Sequence, residues 1–207
     1  MILRKIPNQI IKQPLNPLNL QRIDSIALHH MAHPTADVKT VEGWHIGQGW
    51  RAFGYNFWVA FDGTVYEGRG FNMGAGVENQ NNHIISIGFQ GDYEKCSAPM
   101  PNAQFNAGID IIRYVLEKVP TIKKVGGHKD FMPTACPGRH FPLEEMKTLQ
   151  KRGKKVTYYD TLDQCPDWAK PYVKKAIDNK YIIGDEQGRL RLTDDRIWCL
   201  VVMMRIA

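Results

Sequence analysis

Three side chains in this sequence have the chemistry of a zinc site. His29 ends one short apolar segment, His128 follows another, and Cys136 comes eight positions after His128. Zinc binds imidazole nitrogen and thiolate sulfur in tetrahedral geometry, and a catalytic site keeps three protein ligands with the fourth position open. Pro133 and Pro137 would restrict the loop that carries the thiolate. The residue types therefore predict an open zinc site, although spacing alone also fits structural histidines and a buried cysteine.

Two short apolar segments would hold the histidines. Residues 23–28 end at His29 and His30, and a segment at 121–125 leads through two glycines to His128. Short apolar segments beside turn-forming residues are typical of buried strands, so we expect the histidines at strand ends. Adjacent side chains of a strand point to opposite faces, and only one of His29 and His30 can therefore face a metal.

The other predicted elements alternate between strands and helices. Asp62-Gly63 separates two segments rich in aromatic and β-branched residues, which is typical of a hairpin with a two-residue turn. The full set is a helix at 38–48, hairpin strands at 55–61 and 64–67, a strand at 84–89, an amphipathic helix carrying Phe105 to Val119, and a last helix from about Pro142. This alternation predicts an α/β fold with a mixed central β-sheet flanked by helices.

Composition and charge narrow the class of protein. With 43% hydrophobic and 23% charged residues among 207, the chain has a globular composition. No apolar run approaches the ~20 residues of a membrane-spanning helix, so we expect no membrane span. The net charge of +6 favours polyanionic partners. Nucleic acid is not expected among them, because the basic residues form no dense cluster.

Short motifs surround the candidate ligands. They are Ala27-Leu28-His29-His30, Gly54-Tyr55-Asn56-Phe57, the segment DGTVYEGRG at 62–70, Ser86-Ile87-Gly88 and Thr134-Ala135-Cys136-Pro137-Gly138. In this order they resemble the motifs of the type 2 N-acetylmuramoyl-L-alanine amidases and peptidoglycan recognition proteins, a family that includes phage endolysins. The resemblance covers residues 23–150 and implies the peptidoglycan recognition protein-like α/β fold.

The resemblance implies a zinc amidase acting on bacterial peptidoglycan. The bond cut would join the lactyl group of N-acetylmuramic acid to the first L-alanine of the stem peptide. The family's zinc ligands correspond to His29, His128 and Cys136, which makes His30 the neighbour of a ligand. Tyr55 corresponds to the family's catalytic tyrosine, and a core aromatic is the alternative role for it.

Position 134 departs from part of the family. Some members carry a lysine two residues before the cysteine ligand, where this chain has Thr134. A threonine hydroxyl can donate a neutral hydrogen bond to an oxyanion but brings no positive charge. Thr134 is therefore a second catalytic candidate.

Further residues near the predicted catalytic region are candidates for a substrate groove. Aromatic faces suit sugar or peptide, although tryptophan more often serves packing. Relatives often carry a histidine near Gly76, and the candidate to fill part of that space is His83. The predicted substrate-binding residues are Trp44, His45, Trp50, Asn56 and His83.

The chain divides into four predicted segments. They are an N-terminal arm at 1–22, a zinc amidase domain at 23–150, a basic linker at 151–156 and a helical unit at 157–207. The last segment is similar to one S-layer-homology repeat, with a helix that would bury Trp168, Val173, Ile177 and Tyr181. That similarity implies binding to a secondary cell-wall polymer or assembly into a homo-oligomer, and the alternative is a structural pair of helices.

The function expected from these observations is that of a phage or prophage endolysin of a Gram-positive host. The N-terminus lacks the apolar segment of a secretory signal peptide, so such a protein would be made in the host cytoplasm and act at the cell wall. One alternative is a non-catalytic peptidoglycan-binding protein, which the complete ligand set argues against. Another is a cytosolic amidase that recycles soluble muropeptides, which would need no wall-binding unit.

Overall fold

The computed structural model describes residues 3–151, 159–185, 188–190, 192, 193, 196, 197, 200, 201 and 204. The chain forms two compact units, Met1–Arg152 and Gly153–Ala207. Positions 152–156 of the predicted linker lie outside the described residues, and Lys151 belongs to a helix. Among the described residues, no helix has the length and apolar character needed to cross a membrane.

A six-stranded sheet organises the first unit. Its strands are β1 (Leu3–Lys5), β2 (Ser25–His30), β3 (Phe57–Val59), β4 (Val65–Glu67), β5 (Ile84–Phe89) and β6 (Lys124–Gly127), in the order β1-β4-β3-β5-β2-β6. β3 and β4 pair antiparallel, whereas the other neighbouring strands pair parallel. The predicted mixed α/β sheet is confirmed.

Helices cover the sheet. They are α1 (Val38–Gly47), α2 (Asn102–Lys118) and α3 (Leu143–Lys151), with short 3-10 turns at Leu20–Arg22 and His128–Asp130. The side chain of Asp37 caps α1 by accepting a hydrogen bond from the Thr40 N–H. β6 begins at Lys124 rather than near Thr121, because Ile122 closes the turn after α2 by donating to the Val119 carbonyl.

The strands carry different residues on their two faces. On the apolar face, Ile26 and Leu28 of β2 lie opposite Ile85 and Ile87 of β5 and join the core that includes α2 and α3 residues. On the other face, called the site face here, Ala27 lies opposite Ser86 and His29 lies opposite Gly88. β2 and β5 are buried throughout, so the site face is covered, and apart from Ile84 its residues on these two strands are small or polar.

The predicted hairpin is present with a longer turn than expected. Ala60 and Thr64 pair across three residues, Phe61 to Gly63, instead of two. Gly63 has φ +81, and the Asp62 carboxylate accepts a hydrogen bond from the Thr64 N–H. A left-handed glycine closing a three-residue turn is a common hairpin solution.

The N-terminal arm contains regular structure that its sequence did not predict. β1 extends the sheet beside β4. Further along, the Lys12 N–H donates to the Arg51 carbonyl and the Leu18 N–H donates to the Phe71 carbonyl. The arm is thus tied to the domain by backbone hydrogen bonds along its length.

The second unit contains α4 (Lys170–Asp178) and its own small core. Cys165, Ala169, Val173 and Ala176 are buried together. The prediction that Trp168 and Tyr181 share the buried helix face is wrong: they are 47% and 73% exposed. Trp168 precedes α4 and Tyr181 follows it, so neither obeys the helical spacing.

Candidate active site

The carboxyl ends of β2 and β6 bring two histidines together. His29 is the penultimate residue of β2, and His128 follows β6 directly and starts a 3-10 turn. β2 and β6 are parallel neighbours, so both residues emerge at the same end of the sheet. Their ring centroids are 4.4 Å apart.

A short loop places the cysteine beside them. The Lys129 N–H donates to the Cys136 carbonyl, which returns the loop to the end of β6. The Cys136 N–H donates to the Thr134 hydroxyl over 3.2 Å, and Thr134 itself is exposed. Cys136 Sγ lies 3.8 Å from His29 Nδ1.

These three residues fit a zinc ion. A donor atom of each lies within 4.8 Å of the others, and ligands of one zinc ion lie roughly 3–4 Å apart. Nε2 of His29 and of His128 are buried without a hydrogen-bond partner in the described part of the chain. Buried polar atoms are rarely left unpaired, so two of them in one cluster are a notable feature of this site.

Burial keeps the donors uncharged while no cation is near. It holds the pKa of His29 well below its usual value, with a further decrease from His128, and it lowers the pKa of His128. Burial also raises the pKa of the Cys136 thiol to about 12, against a smaller opposing effect of the His30 N–H. Neutral imidazoles are ready ligands, whereas the thiol must lose its proton when a metal binds.

An aromatic ring closes one side of this cluster. The ring centroid of Tyr55 lies 5.2 Å from that of His29. Burial raises the pKa of Tyr55, with a further increase from Cys136, so the phenol keeps its proton at neutral pH. Its hydroxyl can therefore act as a hydrogen-bond donor beside the metal ligands.

The family model described as N-acetylmuramoyl-L-alanine amidase matches residues 19–139, which include all three candidate ligands and Tyr55. This chain belongs to the N-acetylmuramoyl-L-alanine amidase family. The curated relatives are peptidoglycan recognition proteins. That named SC2 from Drosophila simulans is 34% identical over 105 residues, covering 49% of this chain and 56% of the relative. The chain thus spans about half the length of the curated relatives it matches.

Solved structures share the amidase fold. An endolysin N-acetylmuramoyl-L-alanine amidase, LysCS from Clostridium intestinale URNW, matches with a TM-score of 0.65 and 25% identity, covering 72% of this chain and 95% of that one. Peptidoglycan recognition protein LE in complex with tracheal cytotoxin, a monomeric diaminopimelic acid-type peptidoglycan, matches with a TM-score of 0.59 and 25% identity. That match covers 68% of this chain and 87% of the other.

In this amidase-family chain, His45 and Trp50 lie behind Tyr55. His45 is buried, stacks on Trp50 at 4.5 Å and accepts a hydrogen bond from the Gly54 N–H through Nδ1. Its ring also meets the edge of Tyr55 at 5.7 Å. His45 thus supports Trp50 and Tyr55, whereas Trp44 is 40% exposed on α1 and contacts His33.

Two residues that were predicted to line a substrate groove have other contacts in the structure. Asn56 is fully buried; its amide donates to the Gly70 and Asn72 carbonyls and accepts from the Ser86 N–H. The amide is therefore used in holding loops to β5. His83 immediately precedes β5, at the end of the sheet away from His29, and its Nδ1 lies 3.1 Å from the Asp24 carboxylate.

Glycine provides clearance at this candidate site. A Cβ on Gly88 would lie 2.8 Å from the Tyr55 ring, and a Cβ on Gly76 would lie 2.4 Å from Ser86 Oγ. Both distances are too short for real side chains. The space that a histidine at position 76 would need is thus taken by Ser86, which the sequence did not single out for a role.

A basic cavity beside Trp50 also escaped the sequence analysis. Arg69 is buried, and its guanidinium donates to the carbonyls of Ala52, Phe53 and Met73. It lines a cavity of about 310 Å³ together with Lys12, Arg51 and Trp50. Within the described residues no carboxylate pairs with Arg69. The motif at 62–70 contains Arg69, but the sequence does not show that Arg69 is buried or that Lys12 and Arg51 line the same cavity.

Proposed function

We propose that this chain is a zinc-dependent N-acetylmuramoyl-L-alanine amidase that hydrolyses the bond between N-acetylmuramic acid and the first L-alanine of peptidoglycan. The convergence of His29, His128 and Cys136 within 4.8 Å beside a protonated tyrosine carries the proposal. A donor set of two neutral imidazoles and one thiolate suits zinc and leaves a fourth position for the reaction.

The three ligands would hold the ion at the end of β2. Zinc there would supply an activated water and polarise the amide carbonyl. Tyr55 would donate a hydrogen bond from its hydroxyl to the carbonyl oxygen as that oxygen gains negative charge. Thr134 accepts from the Cys136 N–H, which leaves its own hydroxyl hydrogen free to donate from the exposed side of the loop.

The cavity beside Trp50 suits the stem peptide. Three cations, Lys12, Arg51 and Arg69, line it, and stem peptides carry carboxylates. Opposite charges in a partly buried cavity attract more strongly than in open water. Trp44, which is exposed on α1, is the aromatic residue proposed to contact the sugar.

The test is digestion of purified peptidoglycan followed by mass spectrometry. Samples are taken from the protein as prepared, after chelation and after zinc is restored. We expect stem peptides with a free L-alanine amine that disappear with the chelator and return with zinc. Bound but uncut peptidoglycan in all three samples would instead support a protein that recognises peptidoglycan without cutting it.

We further propose that the protein is made in a Gram-positive host cytoplasm and acts at the wall as a phage or prophage endolysin. The similarity to the LysCS endolysin supports this role. Rates on intact walls and on soluble muropeptides separate it from a recycling amidase. An endolysin should cut intact walls at a comparable or higher rate, whereas a recycling enzyme should prefer the soluble fragments.

The C-terminal unit is proposed to bind a secondary cell-wall polymer in the manner of an S-layer-homology repeat. Three large side chains, Trp168, Tyr181 and Ile183, are exposed on it. Co-sedimentation of the full chain with walls before and after removal of the polymer tests this idea. Loss of binding on stripped walls is expected, and equal binding to both would contradict it. Sedimentation velocity tests the accompanying proposal of a homo-oligomer.

A further inference from the structure

Nε2 of His29, the ring nitrogen that faces away from Cys136, is enclosed by the protein. Nδ1 is the ring nitrogen near Cys136 Sγ, at 3.8 Å, so Nδ1 faces the other candidate ligands. Nε2 lies on the opposite side of the ring, is buried, and has no hydrogen-bond partner among the residues that the structure describes. His29 is only 1% exposed, which leaves little access for bulk water.

The hydroxyl of Ser86 lines the same space. Ser86 is fully buried, and its Oγ likewise lacks a partner in the described ranges. Ser86 pairs with Ala27 across β2 and β5, so its side chain shares the site face with His29. A Cβ on Gly76 would lie 2.4 Å from Ser86 Oγ and 3.2 Å from His29 Nε2. Because both distances are measured from the same point, Ser86 Oγ and His29 Nε2 are no further apart than the two distances combined.

Each atom supplies what the other lacks. A buried polar group without a hydrogen-bond partner destabilises the fold. A histidine that binds metal through one ring nitrogen usually donates the N–H of its other nitrogen to an oxygen, which fixes the tautomer. A serine hydroxyl can accept such a bond and still donate its own hydrogen.

We propose that Ser86 is a positioning residue for the metal ligand His29. Its Oγ accepts a hydrogen bond from the Nε2–H, either directly after a small side-chain rotation or through one buried water molecule. This bond holds the tautomer whose Nδ1 lone pair faces the metal. The inference rests on the zinc site of the proposed function, and Gly76 contributes by leaving the space unfilled.

Zinc affinity of the full chain tests the inference. Competition with a chromophoric chelator gives the zinc dissociation constant of the unchanged protein, of Ser86→Ala and of Ser25→Ala. Ser25 is the matched control because it is a buried serine on the site face at the far end of β2, bonded to Asp24. We expect about 10- to 100-fold weaker zinc binding for Ser86→Ala. Ser25→Ala should stay within about twofold of the unchanged protein.

A spectroscopic measurement on the unchanged protein does not depend on how the variant folds. In the zinc-loaded state, long-range ¹H–¹⁵N correlations should show His29 with Nδ1 bound to metal and a slowly exchanging proton on Nε2. In Ser86→Ala the same proton should exchange faster, while the melting temperature of the metal-free protein changes little.

The outcomes separate the two proposals. If the unchanged protein binds no zinc, the proposed function fails and the inference fails with it. If zinc binds through His29 Nε2, or equally tightly in Ser86→Ala, the role of Ser86 is wrong while the zinc site stands.

Discussion

The two faces of the central sheet serve different purposes although the same strands build both. On the apolar face, Ile26, Leu28 and Ile87 are fully buried and belong to the core shared with α2 and α3. On the site face, the neighbouring positions are Ala27, Ser86 and the glycine at 88, which are small. Around His29 the site face thus has small residues where the apolar face has large aliphatic ones, whereas farther from His29 the site face also buries Ile84 and Trp58.

The difference indicates where stability and chemistry reside. Burying one large aliphatic side chain contributes ~1.5–3 kcal/mol, so the apolar face supplies much of the folding free energy. Around His29 the site face gives up that contribution, and the small residues leave room for His29 and the Tyr55 ring. Substitutions on the two faces should therefore separate stability from activity.

Removing the cysteine ligand is expected to have the largest effect. Cys136→Ala breaks the three-donor set, and loss of metal catalysis worth several kcal/mol lowers the rate at least about 1,000-fold. Zinc content and the release of stem peptides measure this. Cys96→Ala is the control, because Cys96 is an exposed free thiol and should be dispensable. If Cys136→Ala kept its zinc and its activity, Cys136 would not be a ligand and the proposed site would be wrong.

The apolar face should respond in the opposite way. Leu28→Ala creates a cavity in a fully buried position and should lower the unfolding free energy by ~2–5 kcal/mol. Urea unfolding measures it, and the rate per folded molecule should be unchanged. The adjacent Ala27→Gly on the site face should cost about 1 kcal/mol or less. Equal losses for the two variants would contradict the division between faces.

The sequence placed His29 and His128 at strand ends because short apolar segments followed by glycine or histidine are local signals, although β2 and β6 each end two residues later than predicted. It could not place His83, which is close to Gly76 along the chain. The register of β5 against β2 puts His83 at the far end of the sheet. Ser86 was missed for the same reason, since its nearness to His29 arises from pairing with Ala27.

The sequence also could not predict the hydrogen-bond partners of side chains or the pairing of the shortest strand. Asn56 sits in a motif beside Tyr55, the candidate catalytic tyrosine, so a groove role was a reasonable expectation. Its three hydrogen bonds instead reach residues 70, 72 and 86, each distant in sequence. β1 was missed because three residues, Leu3–Lys5, carry too little hydrophobic pattern to predict a strand without their partner β4.

Two tyrosines, the half-buried Tyr55 and the buried Tyr93, sharpen the comparison further. Tyr55→Phe removes the hydroxyl beside His29 and should lower the rate about 100- to 1,000-fold with zinc content unchanged. Tyr93→Phe is the matched control, because Tyr93 belongs to the apolar-face core and donates to Gln104 Oε1 at 2.5 Å. Tyr93→Phe should lower stability and leave the rate per folded molecule intact. A loss of rate in Tyr93→Phe but not in Tyr55→Phe would mean that the catalytic hydroxyl belongs to Tyr93.

The smallest effect is expected from Trp44, an exposed tryptophan of α1. Trp44 is 40% exposed, so Trp44→Ala should change the unfolding free energy by ~0.5 kcal/mol or less. If its face contacts the sugar, KM for a soluble muropeptide rises several-fold, with kcat unchanged, because binding alone is weakened. Trp168→Ala, which alters a 47% exposed tryptophan of the second unit, should leave that KM unchanged. Since both tryptophans are similarly exposed, a shared rise in KM would mean that general surface effects, and not a groove beside the ligands, account for the change.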